Sequence, residues 1–142
     1  MKKILLIIFL SILFIYSNSF AQNCDPNKYN DGMMVKEYEI EWNYNAEDAY
    51  NFGKKIQQIL LDKNLKEFID LTSGDLRMSL EKKYNENKSF EYFFDQEKYE
   101  KIINGEVYCF PLGSINTLQF WIGFEELVYT KKTNDNWVIL SY

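Results

Sequence analysis

Histidine is absent from the 142 residues of this chain, which also holds two cysteines, two prolines, six glycines and a single arginine. Without histidine there is no Ser-His-Asp or Cys-His catalytic group, no His-ligated zinc or haem, and no 2-His-1-carboxylate iron site. The glycines are scattered, so the sequence holds no phosphate-binding loop. We therefore assign no catalytic residue, no metal ligand and no cofactor from the sequence.

Charge and apolar content exclude two further classes of protein. The formal net charge is −5 at pH 7, which argues against a general nucleic-acid binder. Hydrophobic residues make up 46% of the chain and aromatic residues 18%, which is too much for a disordered protein. A chain of 142 residues supports one folded domain.

The first 21 residues have the order of a secretory signal peptide. Two lysines precede an apolar run over 4–16, and Ser19 and Ala21 place small residues before a cut after Ala21. We therefore predict a signal peptide over 1–21. The run of about 13 apolar residues is shorter than the roughly 20 that span a bilayer, and an uncleaved anchor is the alternative.

Cleavage after Ala21 would change both the charge and the expected location. Removing Lys2 and Lys3 leaves 14 basic against 21 acidic residues, a net charge of −7. No second long apolar run follows, so we expect no membrane span after cleavage. The bias toward Lys, Asn, Ile and Tyr is typical of an AT-rich bacterial genome. We therefore expect a periplasmic or secreted bacterial protein.

Cys24 and Cys109 are the only cysteines, and an exported chain meets an oxidising compartment. We predict a disulfide between them that pins the polar N-terminal segment onto the sheet. Lipidation of Cys24 is one alternative, because this residue lies close behind the cut. A redox-active thiol is the other, although the sequence supplies no Cys-x-x-Cys pair and no adjacent cation cluster.

Hydropathy periodicity predicts a single α+β domain over 35–142, preceded by an extended lead-in over 22–34. Apolar and acidic side chains alternate over 37–42, which predicts a half-buried strand over residues 35–42, with a first helical turn as the competitor. Helical spacing follows over 46–62 with Asn45 as the N-cap, and shorter helices come after it. The last third is rich in β-branched and aromatic residues. We therefore expect N-terminal helices packed on a curved antiparallel sheet formed mainly by the C-terminal third.

Three features of this pattern resemble the NTF2-like and cystatin-like superfamilies. They are the first helix with its stripe of Ala49, Phe52, Ile56 and Leu60, the segment KNLKEFIDL behind it, and the terminal strand NWVILSY. The resemblance covers most of the mature chain. It implies a cone-shaped fold with an internal pocket, and it implies no particular chemistry because such folds host both enzymes and binding modules.

Glu37, Glu39 and Glu41 form the first candidate site. On a strand their carboxylates would project from one face about 7 Å apart. Together with Tyr38 they could present a negative surface to a basic protein partner. The alternative is an ordinary solvated face whose charges discourage edge-to-edge pairing of strands.

Trp121, Glu126 and Tyr129 form the second candidate site. If residues 118–129 form one regular strand, Glu126 points toward the helices or a pocket, where a buried carboxylate could act as an acid or a base. The alternative is that Gly123 marks a bulge or turn, which resets the phase and directs Glu126 and the glutamate before it toward water.

Two functions follow from these observations. The first is an exported, non-enzymatic binding protein, in its specific form an acidic immunity or inhibitor protein that binds a basic toxin or hydrolase. The second is an NTF2-like pocket protein that binds a small apolar ligand or performs simple acid–base chemistry. We predict no nucleic-acid partner for either. A contiguous acidic and aromatic surface would favour the first function, and a deep pocket lined by Trp121 the second.

Overall fold

The computed structural model describes residues 29–30, 33–112, 118–123, 125–132 and 136–142. The predicted signal peptide, Cys24 and the lead-in before residue 29 lie outside these ranges. The elements, in chain order, are β1 (Tyr29–Asn30), β2 (Met33–Met34), α1 (Val35–Trp42), α2 (Ala46–Leu61), α3 (Leu65–Asp70), α4 (Gly74–Glu86), a 3-10 helix (Phe90–Tyr92), α5 (Gln96–Asn104), β3 (Gln119–Ile122), β4 (Leu127–Lys131) and β5 (Trp137–Ser141).

Helices and strands are segregated along the chain, which confirms the predicted α+β class. β1 and β2 pair as a short antiparallel hairpin. β3, β4 and β5 form an antiparallel sheet in that order. The helices within the described ranges precede this sheet, so the C-terminal third supplies the sheet as predicted.

Side-chain caps that are visible in the sequence begin three of the helices. Asn45, Asn64 and Asp95 each accept a hydrogen bond from the backbone amide three residues ahead. Each bond pairs an amide of the first turn that has no partner within the helix. The cap predicted at Asn45 is confirmed.

The strand predicted over residues 35–42 is wrong, because this segment is helix α1. Val35, Tyr38 and Trp42 pack in or against the core, at the i, i+3 and i+7 spacing of one helix face. Ile40, which a strand would place beside Tyr38 and Trp42, is 78% exposed. The spacing of Tyr38, Ile40 and Trp42 fits a strand, and the spacing of Val35, Tyr38 and Trp42 fits a helix. The burial of Val35 and the exposure of Ile40 show that the helix is formed.

Local interactions determine where α1 begins and where it ends. The carboxylate of Glu37 accepts a 2.8 Å hydrogen bond from the Met34 amide, which closes the first turn. At the other end Asn43 adopts a left-handed conformation with φ of 47°. Asparagine tolerates this conformation better than most residues, so it ends α1 and lets the chain turn into α2.

One face of the three-stranded sheet packs against the hydrophobic core. Five side chains on this face are fully buried: Phe120, Ile122, Leu127, Tyr129 and Ile139. In the strand register Phe120 lies opposite Tyr129, and their rings stack with 5.6 Å between centroids. The pairing of β4 with β5 contains a register shift, a feature that bends a sheet.

Irregular segments lie along both edges of this sheet. On the β3 side the segment around Val107 forms a β-bridge with Ile122, and the amide of Tyr108 donates a 3.1 Å hydrogen bond to the carbonyl of Trp121. On the β5 side the amide of Ile139 donates a 2.9 Å hydrogen bond to the carbonyl of Leu71. These contacts pair some of the backbone N–H and C=O groups of the two edge strands. Unpaired groups of this kind could form hydrogen bonds with another chain.

Helix α2 lies against the sheet at Gly53. The phenol of Tyr129 donates a 2.8 Å hydrogen bond to the carbonyl of Ala49, one turn before Gly53, and its ring lies 5.4 Å from that of Phe52. A Cβ atom on Gly53 would overlap a methyl group of Val107 and lie 2.8 Å from the Tyr129 oxygen. The close approach therefore requires glycine at this position.

We predict that Gly53→Ala destabilises the protein. Alanine gains about 1 kcal/mol of helix propensity over glycine. Adding a methyl group to a filled core costs about 1–3 kcal/mol, and here the obstacles are two buried side chains from other segments. The expected net result is a loss of up to about 2 kcal/mol in the free energy of unfolding, measured with urea.

The matched control is Asn51→Ala, at an exposed position of the same helix. It should leave stability unchanged or raise it by about 0.5 kcal/mol, because only helix propensity changes. A Gly53→Ala variant as stable as this control would show that α2 can move away from the sheet without cost.

Gln57 links α2 to the end of α5 from inside the core. Its side chain is 3% exposed, and its amide nitrogen donates to the carbonyls of Ile102 at 2.9 Å and Gly105 at 2.8 Å. Its amide oxygen accepts a 2.6 Å hydrogen bond from the ammonium of Lys54. Every polar group of this buried side chain is therefore paired, as a buried amide requires.

Gln57→Ala should cost about 2 kcal/mol in the free energy of unfolding, because two carbonyls at the end of α5 lose their donor. The neighbouring substitution Gln58→Ala changes the same residue type in the same helix, where the side chain is exposed and bonds only to Asp62. It should cost less than about 0.5 kcal/mol. Equal losses in urea unfolding for the two variants would contradict a bracing role for Gln57.

Candidate functional site

The three glutamates of the first candidate site lie on α1, and they do not share one face. Glu37 bonds to the Met34 amide, and Glu39 accepts a 2.7 Å hydrogen bond from the Ala46 amide at the start of α2. Glu41 is exposed and makes no such bond within the described ranges. Two of the three carboxylates therefore close helix ends, which the strand interpretation did not predict.

Tyr38 is 7% exposed and belongs to the core, so its predicted place on a partner surface is wrong. Tyr44, in the connection between α1 and α2, is also buried, and its phenol donates a 3.1 Å hydrogen bond to the carbonyl of Cys109. The aromatic residues near the α1 glutamates thus hold the domain together. The exposed apolar side chain among these glutamates is Ile40.

Glu47 and Asp48 extend the negative charge into the first turn of α2. Both are exposed, and acidic side chains at a helix N-terminus interact favourably with the helix dipole. We define the α1–α2 acidic surface as Glu37, Glu39, Glu41, Glu47 and Asp48, together with the exposed Ile40. The sequence interpretation missed Glu47 and Asp48 as site residues, although their position in a first turn was visible.

Negative charge is concentrated on this surface. Residues 33–50 carry five carboxylates and one lysine, whereas residues 51–132 carry thirteen acidic and twelve basic side chains. Where the structure describes ion pairs, all of them lie from Lys55 onward. The carboxylates of the α1–α2 acidic surface are therefore not neutralised by cations of the described residues.

Charges elsewhere are mostly balanced. Arg77 pairs with both Asp70 and Glu81, and the hydrogen bond to Glu81 raises the pKa of its guanidinium. Lys101 pairs with Glu97 at 3.0 Å and with Glu126 at 3.3 Å, and these two carboxylates raise the pKa of its ammonium. Such exposed pairs contribute little stability, and in each cluster the cation compensates one of the two carboxylates.

The residues of the second candidate site do not form a pocket together. Tyr129 is fully buried, with its phenol bonded to Ala49 and its ring packed among core aromatics. Glu126 is partly exposed and bonds to Lys101 on the surface. In the β3–β4 register Trp121 lies opposite Val128, one residue out of phase with the buried residues of both strands. The prediction that these three residues line one pocket is wrong.

The turn between β3 and β4 explains the position of Glu126. Gly123 has φ of 60° and Glu125 has φ of 64°, so the backbone is left-handed on both sides of the reversal. Residues 118–129 are therefore two strands and a turn. The alternative in which Gly123 resets the phase is the one observed.

The described ranges contain neither a membrane-spanning helix nor a metal-binding cluster. None of the helices there is long and apolar enough to cross a bilayer. In the same ranges, Cys, Asp and Glu side chains form no group of three or more that is arranged to hold a metal ion.

Comparison of the chain with protein-family models, curated proteins and solved structures gives no match. The resemblance to NTF2-like and cystatin-like folds therefore stays a prediction.

Stability should fall at alkaline pH because of two buried phenols. Burial raises the pKa of Tyr129 and of Tyr44 above the ordinary value of 10.0. The folded protein then keeps protons that the unfolded chain releases. The stabilisation is fully present below pH 10 and is lost as the pH rises from there toward the folded-state pKa values.

The Tyr129→Phe variant tests this dependence. It should lose about 1 kcal/mol at pH 7 because the bond to Ala49 is removed, and its stability should then fall less steeply above about pH 10. Urea unfolding of both proteins at a series of pH values gives the two slopes. Identical slopes for the native protein and a Tyr44→Phe, Tyr129→Phe double variant would rule these phenols out as the cause.

Proposed function

We propose that this chain is an exported, non-enzymatic bacterial binding protein that captures a basic protein through the α1–α2 acidic surface. In its specific form it is an immunity or inhibitor protein whose partner is a basic toxin or hydrolase. The observation that carries the proposal is the segregation of charge, with five carboxylates against one lysine over residues 33–50.

An unbalanced surface of this kind acts mainly on the rate of association. Carboxylates without cationic partners set up a negative potential that attracts a basic protein and orients it during approach. Carboxylates that share a cation, such as the two that pair with Lys101, add less to this field than carboxylates without one. The partner would therefore meet α1 and the first turn of α2 before other parts of the molecule.

Ile40 supplies an apolar contact within the same surface. It is 78% exposed and is flanked along α1 by Glu37 and Glu41, one turn and one residue away. Interfaces combine an apolar centre with a polar rim, and the centre contributes most to the lifetime of a complex. An exposed isoleucine with a carboxylate rim fits a partner that brings an apolar residue surrounded by lysine or arginine.

Export and the disulfide between Cys24 and Cys109 are parts of the same proposal. Cys109 is buried, and its carbonyl accepts the hydrogen bond from Tyr44 in the α1–α2 connection. A disulfide at this place would tether the lead-in close to the acidic surface. It would close a loop of about 85 residues, for which chain entropy gives roughly 4–5 kcal/mol.

The test is a comparison of variants with equal net charge. Glu41→Gln with Glu47→Gln neutralises two exposed carboxylates of the acidic surface. Glu86→Gln with Glu125→Gln is the matched control, because both residues are exposed and lie outside that surface. Each tagged protein is used to capture stoichiometric partners from an envelope extract of the producing bacterium, and the association rate of the captured protein is measured at several salt concentrations.

We expect a basic protein to be captured by the native chain and by the control variant. The Glu41, Glu47 variant should associate about tenfold more slowly and with a weaker dependence on salt. Ile40→Ala should leave the association rate unchanged and raise the dissociation rate. If no stoichiometric basic partner is captured, or if both double variants behave alike, the proposed function is wrong.

A further inference from the structure

The three-stranded sheet has a second face, on the side away from α2. Its side chains alternate along each strand with the buried ones. We call this face the outer sheet face, and its six residues are Gln119 and Trp121 on β3, Val128 and Thr130 on β4, and Val138 and Leu140 on β5. They are neighbours across the strands, because Trp121 lies opposite Val128 and Thr130 lies between Gln119 and Val138.

Apolar side chains dominate the outer sheet face. Four of the six residues are apolar and none is charged. The hydroxyl of Thr130 donates a hydrogen bond to the carbonyl of Leu118, so this side chain contributes mainly its methyl group. Among the described residues, none of the four apolar side chains belongs to the hydrophobic core or packs against it, and Leu140 is 37% exposed. A solvated face of an antiparallel sheet normally carries polar side chains, whereas an apolar one is typical of an interface.

Charges of opposite sign lie at the two ends of this face. The turn between β3 and β4 carries Glu125 and Glu126, and only Glu126 pairs with a described cation, Lys101. Residues 131–136, at the end of β4 and in the connection to β5, carry two lysines and one aspartate. Glu125 and Lys132 are both exposed, and within the described ranges neither forms an ion pair. One end of the face therefore has an excess of negative charge and the other an excess of positive charge.

We propose that the outer sheet face is the interface of a homodimer, in which a second copy of this chain packs against it face to face. A two-fold axis that lies between the two sheets and crosses the strands reverses the strand direction of the second copy. The acidic end of each copy then lies over the basic end of the other. Glu125 of one copy meets Lys132 of the second copy, and the same pair forms again across the axis.

The arrangement of side chains agrees with such an interface. Interfaces combine an apolar, uncharged centre with a polar rim, and two sheets pack about 10 Å apart when their apolar faces meet. Val128 and Thr130, in the middle of the central strand, would lie next to the axis. Because α2 packs on the opposite side of the sheet, the α1–α2 acidic surface of each copy stays accessible. The dimer is therefore independent of the proposed function.

The size of the face predicts a weak dimer. Three strands of four or five residues cover a footprint of about 14 Å by 16 Å, from the usual strand spacing and rise per residue. A standard interface removes about 800 Å² of accessible surface from each partner, and this face is smaller. We therefore expect a dissociation constant on the order of 100 µM.

The experiment is sedimentation equilibrium of the purified protein from about 10 µM to about 1 mM, a range that brackets the expected dissociation constant. Leu140→Ser and Val128→Thr each add a hydroxyl group to the outer sheet face and leave its charge unchanged. Ile40→Ala is the matched control, because Ile40 is an exposed apolar residue outside this face. Glu125→Lys, Lys132→Glu and the variant with both changes test the orientation of the two copies. Urea unfolding of each variant verifies that it is folded.

We expect the native protein and Ile40→Ala to dimerise alike. Leu140→Ser should weaken the dimer about tenfold and Val128→Thr several-fold, because each substitution occurs twice in the interface. Glu125→Lys or Lys132→Glu alone should also weaken it about tenfold, and the double variant should restore it to within about threefold of the native value.

Three results would overturn the homodimer. The first is a native protein that stays monomeric up to about 1 mM, a concentration about tenfold above the expected dissociation constant, which would leave a protein of different sequence as the occupant of the face. The second is a folded Leu140→Ser variant that dimerises as the native protein does, or an Ile40→Ala variant that dimerises as weakly as Leu140→Ser. The third is a double charge-reversal variant that is no better than the two single ones.

Discussion

The contact between Gly53 of α2 and the phenol of Tyr129 on β4 sets the distance between the helices and the sheet. The tyrosine ring is fully buried between Phe52 and Phe120, and its hydroxyl bonds to α2 through Ala49. The position of α2 then determines two other parts of the molecule. Its buried Gln57 holds the end of α5, and its first turn carries two of the five carboxylates of the acidic surface. A substitution that shifts α2 at this contact would therefore also displace the end of α5 and the carboxylates in the first turn of α2.

Helix α2 could be predicted because several independent signals agree along its sixteen residues: an asparagine cap, an apolar stripe and acidic residues in the first turn. Helix α1 has only eight residues, and two apolar patterns coexist in it. Tyr38, Ile40 and Trp42 have the spacing of a strand, whereas Val35, Tyr38 and Trp42 have the i, i+3, i+7 spacing of a helix face. What decides between strand and helix is that Val35 and Tyr38 find partners in the core while Ile40 does not. That information lies in the tertiary structure, so sequence spacing alone could not supply it.

The predicted pocket fails for a related reason. Gly123 is a visible signal for a turn, but the left-handed conformation of Glu125 is not, because a glutamate seldom adopts it. Without that reversal, counting by twos assigns Glu126 to the interior. With it, Glu126 reaches Lys101 on the surface and the core side of β4 begins at Leu127. Trp121 and Tyr129 lie on two neighbouring strands, and Glu126 lies in the turn between them.

The carboxylates of α1 and α2 show how far a cluster of acidic residues in a sequence can be interpreted. The number of carboxylates was visible in the sequence, but the sequence did not show which of them bond to the backbone and which do not. Glu37 and Glu39 bond to backbone amides and so serve the fold, whereas Glu41, Glu47 and Asp48 have no such role in the described structure. Glu37 and Glu41 are also one helical turn apart, where like charges oppose helix formation. The proposed capture of a basic protein therefore rests mainly on the carboxylates that do not bond to backbone amides and on Ile40, which lies exposed beside Glu41.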